Sequence, residues 1–160
     1  MYSLTQALEV EASHVAVWKL LSDFESTPAW NTKVSSTRLV GDVRRGVGVS
    51  RESELEGAGV LREDVVEWDE GKWMRVHLSD SSLPLASAKL MLGVEPCGPG
   101  RSTVIVEMEY EPLEASKRCF GSRFALRGKL CRSVHRMLET FKSTAEATAS
   151  TDGVLRPVRA

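Results

Sequence analysis

Arg127 stands where an apolar residue belongs. In FGSRFALRGKLCRSVHRMLETF, residues 120–141, a helical step of about 100° per residue puts Phe120, Phe124, Cys131, Val134, Leu138, Phe141 and Ala145 on one stripe, with Arg127 near its centre. A guanidinium is a planar fork of donors matched to a carboxylate, phenolate or keto oxygen. One reading therefore makes Arg127 the polar anchor of an otherwise apolar ligand. The other is structural: Arg127 pairs with an inward acid, or its stem lies along the stripe while its head escapes at a helix–sheet edge. Some partner is required either way, because an unpaired buried guanidinium is strongly destabilising. Arg123, about 60° from Phe120 on the wheel, is expected at the rim.

Possible acid partners sit on strand-like segments with two phases. In VLREDVVEW, Val60, Val66 and Trp68 define a face that also carries Arg62 and Asp64, whereas Leu61 and Val65 define the other with Glu63. A bulge could switch between the two. In GVGVSRESEL, Val47, Val49 and Leu55 share a face with Arg51 and Ser53. A polar cluster inside the molecule follows as one option and a solvated sheet edge as the other.

Other chemistry has no pattern to support it. His14, His77 and His135 fall on different elements with no metal-ligand spacing, so no metal is expected. Nucleophile-elbow, phosphate-loop and zinc-protease motifs are absent, and no cofactor is implied. Glu107, Glu109 and Glu111 alternate with Val106, Met108 and Tyr110 and read as a solvated face rather than an acid/base pair. Cys97, Cys119 and Cys131 are odd in number and lack CxxC spacing, which points to a reduced, cytoplasmic setting.

The elements that must position these residues are legible. A chain of 160 residues is one domain, able to bury about 70% of its unfolded surface. Strand patterns occupy residues 2–10, 34–40, 47–55, 60–69, 72–79, 86–95 and 102–111, separated by GDVRRG, EGAG, DEG, DSSLP and PCGPG. Ser13 can cap a short helix through Val15, Trp18 and Leu21, and Pro28 breaks a second helical turn. A helix over 116–147, about 45 Å long, is expected to cover the apolar face of the last strands, where Leu90, Met108 and Tyr110 point inward. The fold class is α+β: a curved seven-stranded antiparallel sheet around a long C-terminal helix, with two short helices after the first strand. Such an arrangement leaves room for a cavity. Residues 149–160 are expected to form a flexible tail.

A net charge of −1 gives no electrostatic reason to expect nucleic acid or anionic membrane as main partner. MYSLTQALEV lacks a signal-peptide pattern, and no apolar run approaches the ~20 residues of a membrane span.

VEASHVAVWKLLSDFESTPAWN, residues 10–31, resembles the opening of the START-like (SRPBCC) superfamily, within it the polyketide cyclase/dehydrase-like branch. The resemblance rests on the Glu-Ala step after a strand, Val17-Trp18, Leu21, Asp23, Pro28 and Trp30-Asn31. It implies a helix-grip ligand-binding domain over residues 1–148, with Trp30 closing one end of the cavity. The walls are expected from Phe120, Phe124, Cys131, Trp68, Leu90, Met108 and Tyr110, and the entrance from Leu83, Pro84 and Leu85. The function implied is binding of a hydrophobic small molecule (a polyketide, lipid, quinone or aromatic compound) by a cytoplasmic monomer or dimer. The alternatives are a polyketide aromatase/cyclase-type enzyme working in the same cavity and a protein-interaction module.

Overall fold

The computed structural model describes residues 1–79, 83–114 and 120–154, with the side chains of Phe120, Ser122, Arg123 and residues 152–154 outside that description. Seven antiparallel strands run in the order β1-β7-β6-β5-β4-β3-β2. They are β1 (Tyr2–Val10), β2 (Val34–Val40), β3 (Ser50–Leu55), β4 (Gly59–Asp69), β5 (Trp73–Ser79), β6 (Leu85–Gly98) and β7 (Arg101–Pro112). Between β1 and β2 lie α1 (His14–Ser22), a 3-10 turn (Phe24–Ser26) and α2 (Thr27–Trp30). The chain ends in α3, Phe120–Val154. The helix-grip expectation holds.

Local chemistry sets these boundaries. The Ser13 hydroxyl accepts from the Ala16 amide at 3.3 Å and starts α1. Asp23 accepts from the amides of Glu25 and Ser26 and turns the chain into the 3-10 segment. Gly71, at φ +79°, takes the left-handed conformation that closes the β4–β5 turn. α3 runs past the expected end at 147. Its polar last turns are supported by hydroxyls bonded one turn back, as in Ser143 to Glu139 O, Thr148 to Thr144 O and Thr151 to Ala147 O. Residues 155–160 lie outside the described residues.

Two helices share the apolar face that the sequence assigns to one. α1 packs on β6 and β7, while α3 lies chiefly along β1. The core between them holds Val17, Trp18, Met74, Val76, Val104 and Phe141, all essentially buried. Each large apolar side chain buried this way contributes about 1.5–3 kcal/mol.

Placing α3 against an edge strand explains Arg127. The buried ladder at the start of the helix is Leu126, Leu130, Val134 and Leu138, in steps of four. Such a step overshoots a full turn by about 40°, so the buried face winds round the helix as it follows a twisted sheet. At the N-terminal end this leaves Arg127 exposed beside β1, where it donates to the Ser3 carbonyl at 2.6 Å. The same edge is met by Lys142 Nζ on the Glu9 carbonyl (2.9 Å) and by Glu146 Oε1, which accepts the Glu11 amide (2.9 Å). Gln6 Nε2 completes the seam by donating to the Cys131 carbonyl at 2.8 Å. Arg127 and Lys142 thus occupy free carbonyls of β1, groups that would otherwise invite another strand. The polar-anchor reading is corrected: the guanidinium head lies at the helix–sheet edge.

Candidate functional site

The strands settle the phase of the inner polar residues. In β4, Leu61, Glu63 and Val65 point inward. A register shift between Val65 and Glu67 then turns Trp68 to the same face as its cross-strand partner Met74. In β3, Arg51 and Ser53 point inward, with Arg51 directly across from Glu63.

Arg51 (3% exposed) and Glu63 (7% exposed) form a bidentate pair, Nε to Oε2 at 2.6 Å and Nη2 to Oε1 at 2.8 Å. Arg51 Nη1 donates to the Thr27 hydroxyl and, at 3.3 Å, to the Phe24 carbonyl, and its guanidinium lies 4.2 Å over the Phe24 ring. Ser53 donates to Glu63 Oε2 at 3.2 Å. The polar cluster inside the molecule is present, and it is saturated by its own members. It ties β3 and β4 to the α1–α2 segment.

A second polar knot forms at the β4–β5 turn. Glu70 accepts from Trp18 Nε1 (2.9 Å) and Trp68 Nε1 (2.8 Å) and pairs with Arg45. The Arg45 hydrogen bond, then that from Trp18, holds its carboxyl well below the usual range, at about 2. Trp18 and Trp68 meet edge to face at 5.1 Å. Trp68 is therefore a packing residue of this clasp, which corrects its expected place in a ligand wall.

The remaining expected site residues divide sharply. Leu90 and Met108 do line an apolar cleft of about 200 Å³ between sheet and helix. Facing them are Leu61 from β4 and Leu130, Val134 and Met137 from α3, with Leu55 and Ala58 of the β3–β4 hairpin at one side. Leu83, expected at the entrance, borders the cleft, while Leu83 and Leu85 line a smaller neighbouring hollow. The Pro84 carbonyl is taken by the Leu113 amide at 3.2 Å. Tyr110 is buried and stacks on Tyr2 at 5.8 Å, away from the cleft. Cys131 is half-buried at the β1 seam. Phe124 is 67% exposed and lies off the cleft, a correction that follows from the same winding of the buried face. The Phe120 side chain lies outside the described residues. Trp30 is buried edge to face against Phe141 at 5.1 Å, and its buried indole N–H has no hydrogen-bond partner among the described residues.

Leu130 and Met137 were missed by the stripe drawn through Phe124 and Cys131. The Leu126-Leu130-Val134-Leu138 ladder was the available signal. Equally unforeseen is a hollow of about 560 Å³ continuous with the cleft mouth, sharing Asn31, Lys33, Glu56, Ser133 and Met137 with it and bordered by Lys129, Arg132 and Arg136. Among the described residues no cluster of three or more potential metal ligands occurs, and no helix is long and apolar enough to cross a membrane.

A sheet that grips a long helix over an apolar cleft is the architecture of START-like ligand-binding domains. The chain belongs to the family described as polyketide cyclase/dehydrase and lipid transport, whose model matches residues 1–146. Solved structures agree on the fold. A START superfamily protein from Mycobacterium smegmatis superposes with TM-score 0.72 at 17% identity, covering 94% of this chain and 99% of its own. XoxI from Bacillus cereus gives 0.73 at 19% identity over 89% and 94%. The di-domain ARO/CYC BexL of the BE-7585A biosynthetic pathway gives 0.77 at 15% identity, covering 91% of this chain and 47% of BexL. No curated protein matched the chain.

Proposed function

We propose that this protein binds a small, mostly apolar molecule in the cleft under α3. The observation that carries the reading is the cleft itself: aliphatic and thioether walls from Leu61, Leu90, Met108, Leu130 and Val134 line about 200 Å³ beside the core. Apolar surface removed from water there contributes about 25 cal/mol per Å² before ordering costs. The family's description, which joins cyclase chemistry with lipid transport, supports the same use of the space. The titratable side chains lining the cleft, Lys33 and Glu56, sit at its mouth. That wall chemistry supports carriage or sensing over turnover of a poly-ketone chain, the reading BexL would suggest. Free thiols at Cys97 and Cys131 support a reducing, cytoplasmic setting.

Titration with the two-ring fluorophore 1-aminonaphthalene, uncharged at neutral pH, tests this. Saturable 1:1 binding is expected for the wild type and its loss in Leu90→Trp, which fills the cleft floor, with both proteins folded by circular dichroism. Absence of saturable uptake by the folded wild type, or full uptake by Leu90→Trp, would overturn the reading.

A further inference from the structure

The mouth of the cleft is basic by construction. On α3, Lys129, Arg132 and Arg136 follow at i, i+3 and i+7 and share one outward face, while Leu130, Val134 and Met137 turn into the cleft. Lys33, just after α2, adds a fourth cation to the same hollow, and Glu56 faces them as an acid on the rim. Among the described residues, none of these four cations is in an ion pair. Much of the surface differs: Arg38 meets Glu52, Arg62 meets Asp64, Arg75 meets Glu67, Arg101 meets Glu9 and Lys142 meets Glu146. A chain of net charge −1 has therefore gathered four cations against one acid in the hollow that adjoins its apolar cleft.

We infer that the cleft takes an anionic amphiphile, its apolar body among Leu61, Leu90, Met108 and Val134 and its carboxylate, phosphate or sulfate among Lys33, Lys129, Arg132 and Arg136. This rests on the binding reading above and adds the ligand's class. Size narrows it further. At roughly 30 Å³ per water-sized group, about 200 Å³ holds some six or seven methylene-sized groups. That is a medium-length alkyl chain or a one- or two-ring aromatic body, with the charged end standing in the outer hollow. Arginine suits the role because its fork meets two oxygens of such a group at once. Exposure keeps the charge contribution modest and sensitive to salt.

The test compares octanoate, octan-1-ol and acetate by amide NMR titration at pH 7.5. Octanoate and octanol are both expected to shift the amides of Leu130 and Val134. Octanoate alone is expected also to shift Lys129, Arg132 and Arg136, and to bind roughly threefold to tenfold tighter than octanol. Acetate, an anion with no chain, is expected to be far weaker than either. Arg132→Gln/Arg136→Gln should bring octanoate down to octanol, as should Lys33→Gln/Lys129→Gln, and leave octanol within about twofold. Equal affinities for octanoate and octanol in the wild type would overturn the anionic class while sparing the cleft. Acetate as strong as octanoate would reduce the mouth to a free-anion site and overturn it too. If neither eight-carbon probe perturbs Leu130 or Val134, the cleft reading falls along with it.

Discussion

At the scale of single residues two carboxylates, one buried and one exposed, are held in different ways. Glu63 is buried opposite Arg51 with both oxygens occupied. Such a pair is costly to break and cheap to replace: loss of one partner strands a buried charge, whereas two apolar side chains of similar volume need no compensation. Glu63→Ala is expected to lose about 3–5 kcal/mol in urea unfolding, and Arg51→Met/Glu63→Leu to recover most of it. A double variant no better than the single one would show that Thr27 and Phe24, not the charge, govern the site. Glu70 differs, since its side chain is exposed and its effect shows in pH dependence. Its carboxyl is held at about 2 in the folded protein against an ordinary 4.5, so the unfolded chain binds the extra proton first. The stabilisation is thus complete above about pH 4.5 and is lost as pH falls toward 2. Thermal unfolding followed from pH 6 to 2.5 should show a shallower decline in Glu70→Gln than in the wild type, and identical slopes would mean that solvent already screens the clasp.

At the scale of elements, the strands were readable because inner and outer residues alternate, as in β6 and β7, and the turns between them carry glycine and proline. The phase of β4 was not readable. The bulge after Val65 inverts the alternation, and only pairing with β5 fixes where it falls. Arg127 teaches the same lesson for helices. A wheel drawn for a straight stripe puts it at the centre, whereas a helix laid along a twisted edge strand changes its inward face turn by turn. Its donation to Ser3 O makes it a cover for the β1 edge. Arg127→Leu is accordingly expected to leave 1-aminonaphthalene affinity within about twofold and to cost about 1 kcal/mol or less. Amide exchange of β1 should accelerate at the same time. A large loss of dye affinity with β1 protection intact would return Arg127 to the ligand.

At the scale of the whole molecule, the cleft exists because two layers of unequal shape meet. Met108 comes from the sheet and Val134 from α3, so the space between them belongs to neither element alone and no sequence window describes it. Leu90 and Met108 were nonetheless legible as inward residues, since strand alternation places them. Leu130 and Met137 required the crossing of α3 to be known. If this gap rather than any single contact sets what the protein accepts, then enlarging it should change ligand size preference without changing ligand class. Met108→Ala removes the floor at an expected stability cost of about 2–5 kcal/mol. Met137→Ala opens the half-exposed wall more gently and serves where the first variant unfolds. Either should shift the affinity ratio of pyrene to naphthalene toward pyrene, measured by fluorescence on folded protein. A constant ratio in a folded variant would mean that the layers close over the vacated volume, and that ligand size is set at the mouth between Lys33 and Arg136 instead.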